Sequence, residues 1–293
     1  MQKYLITTDS GCDLPMSLLQ SRNIVPLQLF YELNGVTYTD TMLPTDSKAF
    51  YDRMRNGAIP KTSQVNLASY LNFWLPLLAK GLPIVHISLG SGISGTYNNS
   101  LAAAKILMAE NPSSKIFSVD STLASVGYGM LTLKAADMRD AGETPEDCVR
   151  WLESHKAEIN TYYTTSDLEY LYRSGRVSRA KAAIATLLDI NPILNLDLAG
   201  HLLIREKIRG RKATIQRIHV ILHALCINPE DQTLYICHSD ILDKAQEFGE
   251  GLKKDLGFRD VYYTYIGPTI GSHSGPGLMA AFFYGKPRVL YKN

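Results

Sequence analysis

Short buried-strand stretches that alternate with helix-like stretches constrain the fold of this chain more than any other feature. Four runs rich in β-branched and aromatic residues occur at 4–8, 24–31, 83–88 and 115–119. Amphipathic stretches at 48–57, 67–81 and 126–142 fall between or after them. Strands that alternate with helices are typical of α/β proteins built on a parallel sheet. The first half of the chain is therefore predicted to form an α/β domain with a parallel sheet.

A second series of elements begins near residue 160. Strands are predicted at 160–165, 233–239 and 260–267, the last of them closing the series, and a hairpin turns at Ala199–Gly200. Helices are predicted at 168–175, 178–189, 212–226 and 241–257, and the 146–159 helix joins the two halves. We predict two packed α/β domains, residues 1–160 and residues 161–293. The first has a parallel sheet and the second a mixed sheet.

Charge and cysteine usage exclude several functional classes. A net charge of +2 over 293 residues argues against extensive nucleic-acid binding. Four scattered cysteines without a C-x-x-C pair fit neither a zinc ribbon nor a disulfide framework. No H-E-x-x-H or similar spacing occurs, so we expect no metal site. Without a signal-like start or an apolar run of ~20 residues, we expect a soluble cytoplasmic protein with no membrane anchor.

The stretch LGSGISGTY (89–97) raises the first question of function. Its glycines follow a strand and precede a helix, as in a dinucleotide-binding turn, and Asp120 ends the next strand where a ribose-binding acid would fall. Glycines also occur in such turns for steric reasons alone, with no ligand. Ser91, Ser94 and Thr96 crowd the start of the helix, either as caps or as a polar pocket for an anion.

Three other polar loops have a similar character, at 7–15, 61–66 and 267–277. Asp9 and Ser10 lie in the first, Thr62 and Ser63 are placed at a helix cap in the second, and His273 stands among glycines in the third. Ligands of open parallel sheets bind beyond the carboxyl ends of the strands. These loops are therefore predicted to converge at one mouth.

Two arginine-rich stretches, 168–179 and 203–213, have two interpretations. Most of their charges suit a solvated basic face. Arg176, between Gly175 and Val177 at a predicted helix end, could instead pair with a carboxylate or phosphate.

Taken together, these stretches resemble the DegV family of fatty-acid-binding proteins. The matching segments, in chain order, are ITTDSGCDLP, KTSQ, ISLGSGISGTY, FSVDSTLASVGYG, LEYLYRSGRVS, NPIL, REKIRGRKA and IGPTIGSHSGPG. The resemblance implies two α/β domains with one long-chain fatty acid between them. It also implies a lipid-carrying subunit, without a cofactor, that presents the acyl carboxylate to an ATP-dependent fatty acid kinase for conversion to acyl phosphate.

The resemblance also implies roles for particular residues. The positions that match the family's carboxylate-binding residues are Thr62, Ser94, Gly95 and His273. Supporting residues and those at the pocket mouth are Ser63, Thr96, Arg176 and Ser272. Arg205 and Arg209 match positions that face the kinase, and no catalytic residue is assigned to this chain.

The sequence departs from the family pattern at several points, including Val65 and Asn66 after KTSQ, Gly90 and Ser274. Acyl-chain preference is therefore left open, as are the oligomeric state and the existence of the kinase. Two alternatives remain beside the lipid carrier. One is an NAD-type oxidoreductase that uses the glycine turn and Asp120, and the other is a ligand-gated interaction protein without a kinase.

Overall fold

The computed structural model describes residues 3–165, 167–177 and 189–290. The strands within them are β1 Leu5–Asp9, β2 Ile24–Leu27, β3 Phe30–Leu33, β4 Val36–Thr39, β5 Lys61–Thr62, β6 Ile84–Ser88, β7 Ile116–Asp120, β8 Ile159–Thr164, β9 Ile190–Leu196, β10 Leu202–Arg209, β11 Thr233–His238, β12 Asp260–Tyr265 and β13 Met279–Tyr284. The helices are α1 Met16–Ser21, α2 Pro44–Arg55, α3 Leu67–Leu78, α4 Thr96–Glu110, α5 Val126–Asp140, α6 Pro145–His155, α7 Glu169–Arg173, α8 Arg211–Leu225, α9 Leu242–Leu256 and α10 Pro268–Ser274.

These strands form three sheets. The first is parallel, with the order β2-β1-β6-β7, as the strand–helix alternation predicts. The second is mixed, with the order β10-β9-β8-β13-β11-β12, in which only β11 and β12 are parallel neighbours. The third is a small antiparallel sheet, β4-β3-β5. The predicted fold class, with an N-terminal parallel sheet and a C-terminal mixed sheet, is confirmed.

The apolar core forms layers on both sides of the two large sheets. Helices α3 and α4 cover the outer face of the parallel sheet, and α8 and α9 cover the outer face of the mixed sheet. Helix α5 lies between the sheets and contacts β1, β6 and β8. The largest buried cluster fills this central layer, from Val85 and Ile87 of β6 to Leu194 and Phe282 of the mixed sheet. Any cavity in this layer is therefore bounded by both sheets.

Several predicted elements differ from the structure. The 24–31 run is two strands in different sheets, because the chain leaves the parallel sheet after Leu27 and Phe30 begins the small sheet. The 260–267 strand is not the last, since β13 follows it at the centre of the mixed sheet. The 267–277 stretch is not a loop throughout, because α10 occupies most of it. The helix predicted at 178–189 falls almost entirely outside the described residues.

The predicted boundary near residue 160 can be compared with the sheets. Strand β7 ends the parallel sheet at Asp120, and β8 begins the mixed sheet at Ile159. The division into domains 1–160 and 161–293 stays a prediction.

The polar loop that follows β1 is used for internal packing. The fully buried Asp9 carboxylate accepts hydrogen bonds from the Gly11 N–H at 3.1 Å and from the Tyr128 hydroxyl at 2.5 Å. The Ser10 hydroxyl accepts from the Leu29 N–H at 3.1 Å. Asp9 and Ser10 therefore bind other parts of the chain, contrary to the prediction that this loop joins the others at one mouth.

Asp9 should make the stability of the protein depend on pH. Burial raises the pKa of this carboxyl to about 6, against the opposing effect of its hydrogen bonds from Tyr128, Leu89 and Gly11. An acid whose folded-state pKa is raised contributes most stability below its unfolded pKa of about 4, and loses that contribution as the pH rises through its folded value. Compared with Asp9→Asn, the native protein should lose up to about 3 kcal/mol of unfolding free energy between pH 4 and pH 8. Denaturant titrations of both proteins at the two pH values measure this, and parallel changes would contradict it.

Candidate functional site

A cavity lies between the parallel sheet and the mixed sheet, with lining residues from both. It encloses about 980 Å³ when it is counted out to its open end. Most of its wall is apolar, with contributions from both halves of the chain: Leu29, Leu89, Ile93, Ala124, Leu171, Leu196, Leu202, Ile266, Ile270, Leu278, Ala280 and Phe282. Its polar lining residues include Thr62, Ser63, Gln64, Ser94, Thr96, Arg176, His273 and Ser274. A cavity with this lining suits a small-molecule ligand with one polar end.

Thr62 and His273 meet at the polar end of the cavity although 211 positions separate them. Thr62 lies in β5, whose pairing with β3 places it opposite Tyr31. Its Oγ1 is 2.6 Å from Nε2 of His273. Neither Thr62 nor Ser63 caps the following helix as predicted, because Asn66 accepts the capping hydrogen bond from the Ser69 N–H at 2.8 Å. The hydroxyl of Thr62 is thereby left to act within the cavity.

Two buried carboxylates from the N-terminal half hold the helix that carries His273. Asp40 accepts hydrogen bonds from the N–H and the hydroxyl of Thr269, at 3.1 and 2.6 Å, in the first turn of α10. Asp13 accepts from the Gly267 N–H at 2.8 Å, directly before that helix. A seven-residue helix that contains Gly271 has little intrinsic stability. These tertiary contacts therefore place His273 within the polar end.

His273 is neutral at physiological pH. Burial, reinforced by the positive charge of Arg176, lowers the pKa of its imidazole to about 4. Its Nδ1 is buried and has no hydrogen-bond partner among the described residues. In the tautomer with the proton on Nδ1, Nε2 accepts from the Thr62 hydroxyl and Nδ1–H is left to donate to a ligand. An unpaired buried donor of this kind is costly unless a ligand satisfies it.

The glycine turn contributes a second group of donors. Gly95 is the N-cap residue of α4, so the first N–H groups of a 15-residue helix begin beside the cavity. The Ser94 hydroxyl is 2.9 Å from that of Thr96, and Thr96 Oγ1 accepts from the Val65 N–H at 3.2 Å. A side chain at Gly95 would overlap the amide of Gln64. The turn therefore presents a serine hydroxyl and helix-start N–H groups near the KTSQ loop.

The other glycines of this turn have a packing role. A Cβ on Gly92 would lie 2.5 Å from the carbonyl oxygen of Ala199 in the β9–β10 hairpin. A Cβ on Gly90 would lie 2.7 Å from the backbone nitrogen of Leu123. Asp120 accepts from the N–H and the hydroxyl of Ser91, at 3.0 and 2.6 Å. The glycines allow close approach of backbones, and the Asp120 carboxylate fixes the turn.

Arg176 provides positive charge at the cavity. It is exposed, and its guanidinium donates to the carbonyls of Ile93, at 3.3 Å, and Ser174, at 2.6 Å. Partial desolvation lowers its pKa from the usual arginine value, but the group stays charged at neutral pH. Within the described part of the chain it has no carboxylate partner. It is therefore available to an anionic ligand.

The structure brings together most, but not all, of the residues singled out from the sequence. Thr62, Ser63, Ser94, Thr96, Arg176 and His273 line the cavity, and Gly95 lies beside it. Ser272 does not line it, because its hydroxyl donates to the Pro268 carbonyl within α10. Arg205 and Arg209 lie on β10 outside the lining, and their predicted contact with a partner stays a prediction.

The sequence analysis missed six polar lining residues: Gln64, Ser125, Thr161, Tyr163, Thr269 and Ser274. Four of them, Gln64, Ser125, Thr269 and Ser274, lie in matched family segments, so these segments were the available signal. Thr161 and Tyr163 belong to a strand that is buried on both faces, which leaves no alternation to show the side facing the cavity.

The described residues contain neither a metal-binding cluster nor a helix suited to spanning a membrane. No cluster of three or more histidine, cysteine, aspartate or glutamate side chains within them could hold a metal ion. None of their helices combines the length and the hydropathy that a membrane span requires.

The fold and the cavity define a class of α/β protein in which a parallel and a mixed sheet enclose an apolar chamber with one polar end. The model of the DegV family, described as "Uncharacterised protein, DegV family", matches residues 3–286. The chain belongs to this family. A DegV domain-containing protein from Clostridium perfringens is 36% identical over 97% of this chain and 98% of its own length.

Two solved structures extend the comparison. The structure of DegV, a fatty acid binding protein from Bacillus subtilis, has a TM-score of 0.84 at 27% identity and covers 98% of this chain and 100% of its own. A hypothetical protein from Thermotoga maritima, described as revealing a fatty acid binding function, has a TM-score of 0.83 at 26% identity. It covers 99% of this chain and 100% of its own.

Proposed function

We propose that this protein binds one long-chain fatty acid in the cavity between its two sheets. The supporting observation is that an apolar chamber ends in hydrogen-bond donors from three separate parts of the chain: Thr62, the Ser94–Gly95 turn and His273. A carboxylate that leaves water needs donors for its lone pairs. Arg176 adds a positive charge at that end. The fatty acid binding reported for the Bacillus subtilis and Thermotoga maritima relatives supports the same ligand class.

The expected energies are consistent with tight binding. Burying about a dozen methylene groups contributes ~10 kcal/mol at ~0.8 kcal/mol each. The loss of translational and rotational freedom costs ~4 kcal/mol or more. Head-group hydrogen bonds add about 1 kcal/mol each. The balance permits micromolar or tighter affinity, so we expect the purified protein to carry a lipid.

Removing a head-group donor tests the site. Ser94→Ala and His273→Ala should each weaken binding of stearate by about tenfold, because one donor is worth about 1 kcal/mol or more. Isothermal titration of delipidated protein measures the affinity. Ser91→Ala is the matched control, since that hydroxyl lies in the same turn but bonds Asp120 outside the cavity. Native mass spectrometry should show one fatty-acid adduct per chain. Unchanged affinity in both variants, or no stearate binding by the native protein, would reject the proposal.

The proposal extends to a partner. The lining suits holding a carboxylate rather than reacting with it, because its described ionisable groups near that end are a neutral imidazole and a guanidinium. The protein then presents the acyl carboxylate to an ATP-dependent kinase that makes acyl phosphate, with Arg205 and Arg209 facing the kinase. Its cysteines are unpaired, which suits a reducing cytoplasm.

Charge reversal at Arg205 tests the kinase contact. Arg205→Glu should leave stearate affinity unchanged and reduce acyl-phosphate formation about tenfold in an assay reconstituted with a fatty acid kinase, because a lost charge contact costs roughly 1.4 kcal/mol. Lys244→Glu, an exposed charge on α9, is the matched control. Equal turnover of all three proteins would argue against docking at β10. No turnover by the native protein would favour a ligand-gated interaction protein.

A dinucleotide-binding oxidoreductase is less well supported. Asp120, the candidate ribose ligand, already accepts three hydrogen bonds, from the N–H and hydroxyl of Ser91 and from the Thr122 N–H. The glycines at 90 and 92 lie against backbone where a pyrophosphate would need access. No lysine or arginine lies within the turn to neutralise phosphate charge.

A further inference from the structure

Three hydroxyls in the cavity wall lack a hydrogen-bond partner among the described residues: that of Ser274 in α10 and those of Thr161 and Tyr163 in β8. Thr161 and Tyr163 of β8 are 2% and 7% exposed, and both line the cavity. Neither Oγ1 of Thr161 nor the hydroxyl of Tyr163 has a hydrogen-bond partner among the described residues. Two other hydroxyls of the wall differ, since Ser125 donates to Asp13 and Thr269 donates to Asp40. Apart from Ser274, which follows His273 in α10, the unpaired hydroxyls of the wall therefore lie on β8.

These hydroxyls belong to the part of the wall formed by the mixed sheet. Thr161 pairs with Phe282 of β13, and Tyr163 pairs with Ala280, and both of these partners also line the cavity. The intervening Tyr162 packs in the apolar cluster on the opposite face of the sheet. Thr161 and Tyr163 thus share one face with an apolar surround, on a different element from the residues of the head-group end.

The acyl chain decides whether these groups remain unpaired. An unsubstituted acyl chain that covers them excludes water and offers neither a hydrogen-bond acceptor nor a donor. Leaving a buried hydroxyl unpaired costs about 1–3 kcal/mol. A hydroxyl on the chain can accept from one of these groups and donate to the other.

We infer that the cavity is specific for a long-chain fatty acid that carries a hydroxyl group part-way along its chain, read by Thr161 and Tyr163. This inference rests on the proposed function and narrows its ligand class. The hydroxylated chain forms hydrogen bonds with both wall hydroxyls, whereas a chain without a hydroxyl group leaves both of them unpaired. A site of this kind discriminates strongly between the two ligands, because the fatty acid that lacks the hydroxyl leaves buried polar groups of the site unpaired.

Titration of delipidated protein with stearate, 3-hydroxystearate, 10-hydroxystearate and 12-hydroxystearate tests the inference. At least one of the two mid-chain hydroxy acids should bind about tenfold more tightly than stearate, since one satisfied buried hydroxyl is worth about 1.4 kcal/mol. The 3-hydroxy acid, whose hydroxyl lies beside the carboxylate, should not share this advantage. In Thr161→Val with Tyr163→Phe, the preference should disappear through opposite changes, weaker binding of the hydroxy acid and tighter binding of stearate.

Thr164→Val is the matched control. Its hydroxyl is also buried without a partner and lies on the same strand, but on the face away from the cavity. This variant should keep the native preference. Stearate binding that equals or exceeds that of both mid-chain hydroxy acids would overturn the inference and leave fatty acid binding intact. An equal change in affinity for all four ligands in the double variant would also overturn the inference. Failure of every fatty acid to bind would overturn the proposed function as well.

Discussion

Arg288→Met should lower the free energy of unfolding by about 3 kcal/mol, because several buried oxygen atoms lose their donor at once. The Arg288 guanidinium, in a residue only 6% exposed, donates to the carbonyl and hydroxyl of Thr122 at 2.9 and 2.8 Å. It also donates to the carbonyls of Asp197 and Lys156, at 2.6 and 3.2 Å. Methionine keeps an unbranched apolar stem and supplies no donor. The guanidinium thus joins the loop after β7 to the β9–β10 turn.

The charge of this arginine sets the expected size of the effect. Burial, partly offset by Asp197 and Asp120, lowers the pKa of Arg288 to about 10, so the group stays protonated at neutral pH but pays for its desolvation. Removing it recovers some of that cost, which is why the expected loss is smaller than four separate hydrogen bonds suggest. Arg288→Lys, which keeps the charge but not the fork of donors, should give an intermediate loss. Guanidinium chloride titrations measure all three proteins, and unchanged midpoints would contradict this account.

Gly92→Ala should destabilise the protein by about 2–3 kcal/mol, because its new methyl group meets main chain rather than a movable side chain. The nearest atoms are the carbonyl oxygen of Ala199 and the carbonyl carbon of Gly200, both 2.5 Å from the Cβ position. The β9–β10 turn must then move away from the glycine turn. The same variant should lose fatty acid affinity, since Ser94 and Gly95 follow directly in the displaced turn.

Gly251→Ala is the control for this substitution. A Cβ there makes its closest contact at 3.4 Å, with the His219 ring, and the residue lies within α9. Replacing a helical glycine by alanine without a clash should stabilise by roughly 0.5–1 kcal/mol. A loss of unfolding free energy in Gly92→Ala together with a gain in Gly251→Ala would establish the packing role of Gly92. A stable Gly92→Ala protein that had lost NAD binding would instead favour the dinucleotide interpretation.

Local patterns were sufficient for most of the parallel sheet. The apolar runs around Ile6, Val85 and Ile116 lie on strands covered on both faces, and helices follow each of them, so composition and alternation predict both the elements and their parallel pairing. The β9–β10 hairpin was equally predictable, because Ala199–Gly200 marks a turn between two apolar runs.

Elements that depend on distant contacts were not predictable in this way. Strand β5 is only two residues long and forms because it pairs with β3. No local pattern indicates this strand, so the sequence alone predicts a helix cap at Thr62. Helix α10 is short and contains Gly271, which disfavours a helix, and it forms where Asp13 and Asp40 accept hydrogen bonds from its start. His273 could therefore be named as a candidate, and its stretch could be expected near that of Thr62, but its helix and its hydrogen bond with Thr62 could not be predicted.

The position of β13 has a consequence for how the protein is made. This strand lies between β8 and β11 at the centre of the mixed sheet, yet a ribosome synthesises it after every other described strand. Until Met279–Tyr284 have left the exit tunnel, the place of β13 between β8 and β11 is empty, and these two strands have no common neighbour. The cavity wall formed by Ala280 and Phe282 is missing at that stage. A complete cavity therefore exists only after this strand has emerged, and a chain stalled before it exposes the edges of β8 and β11.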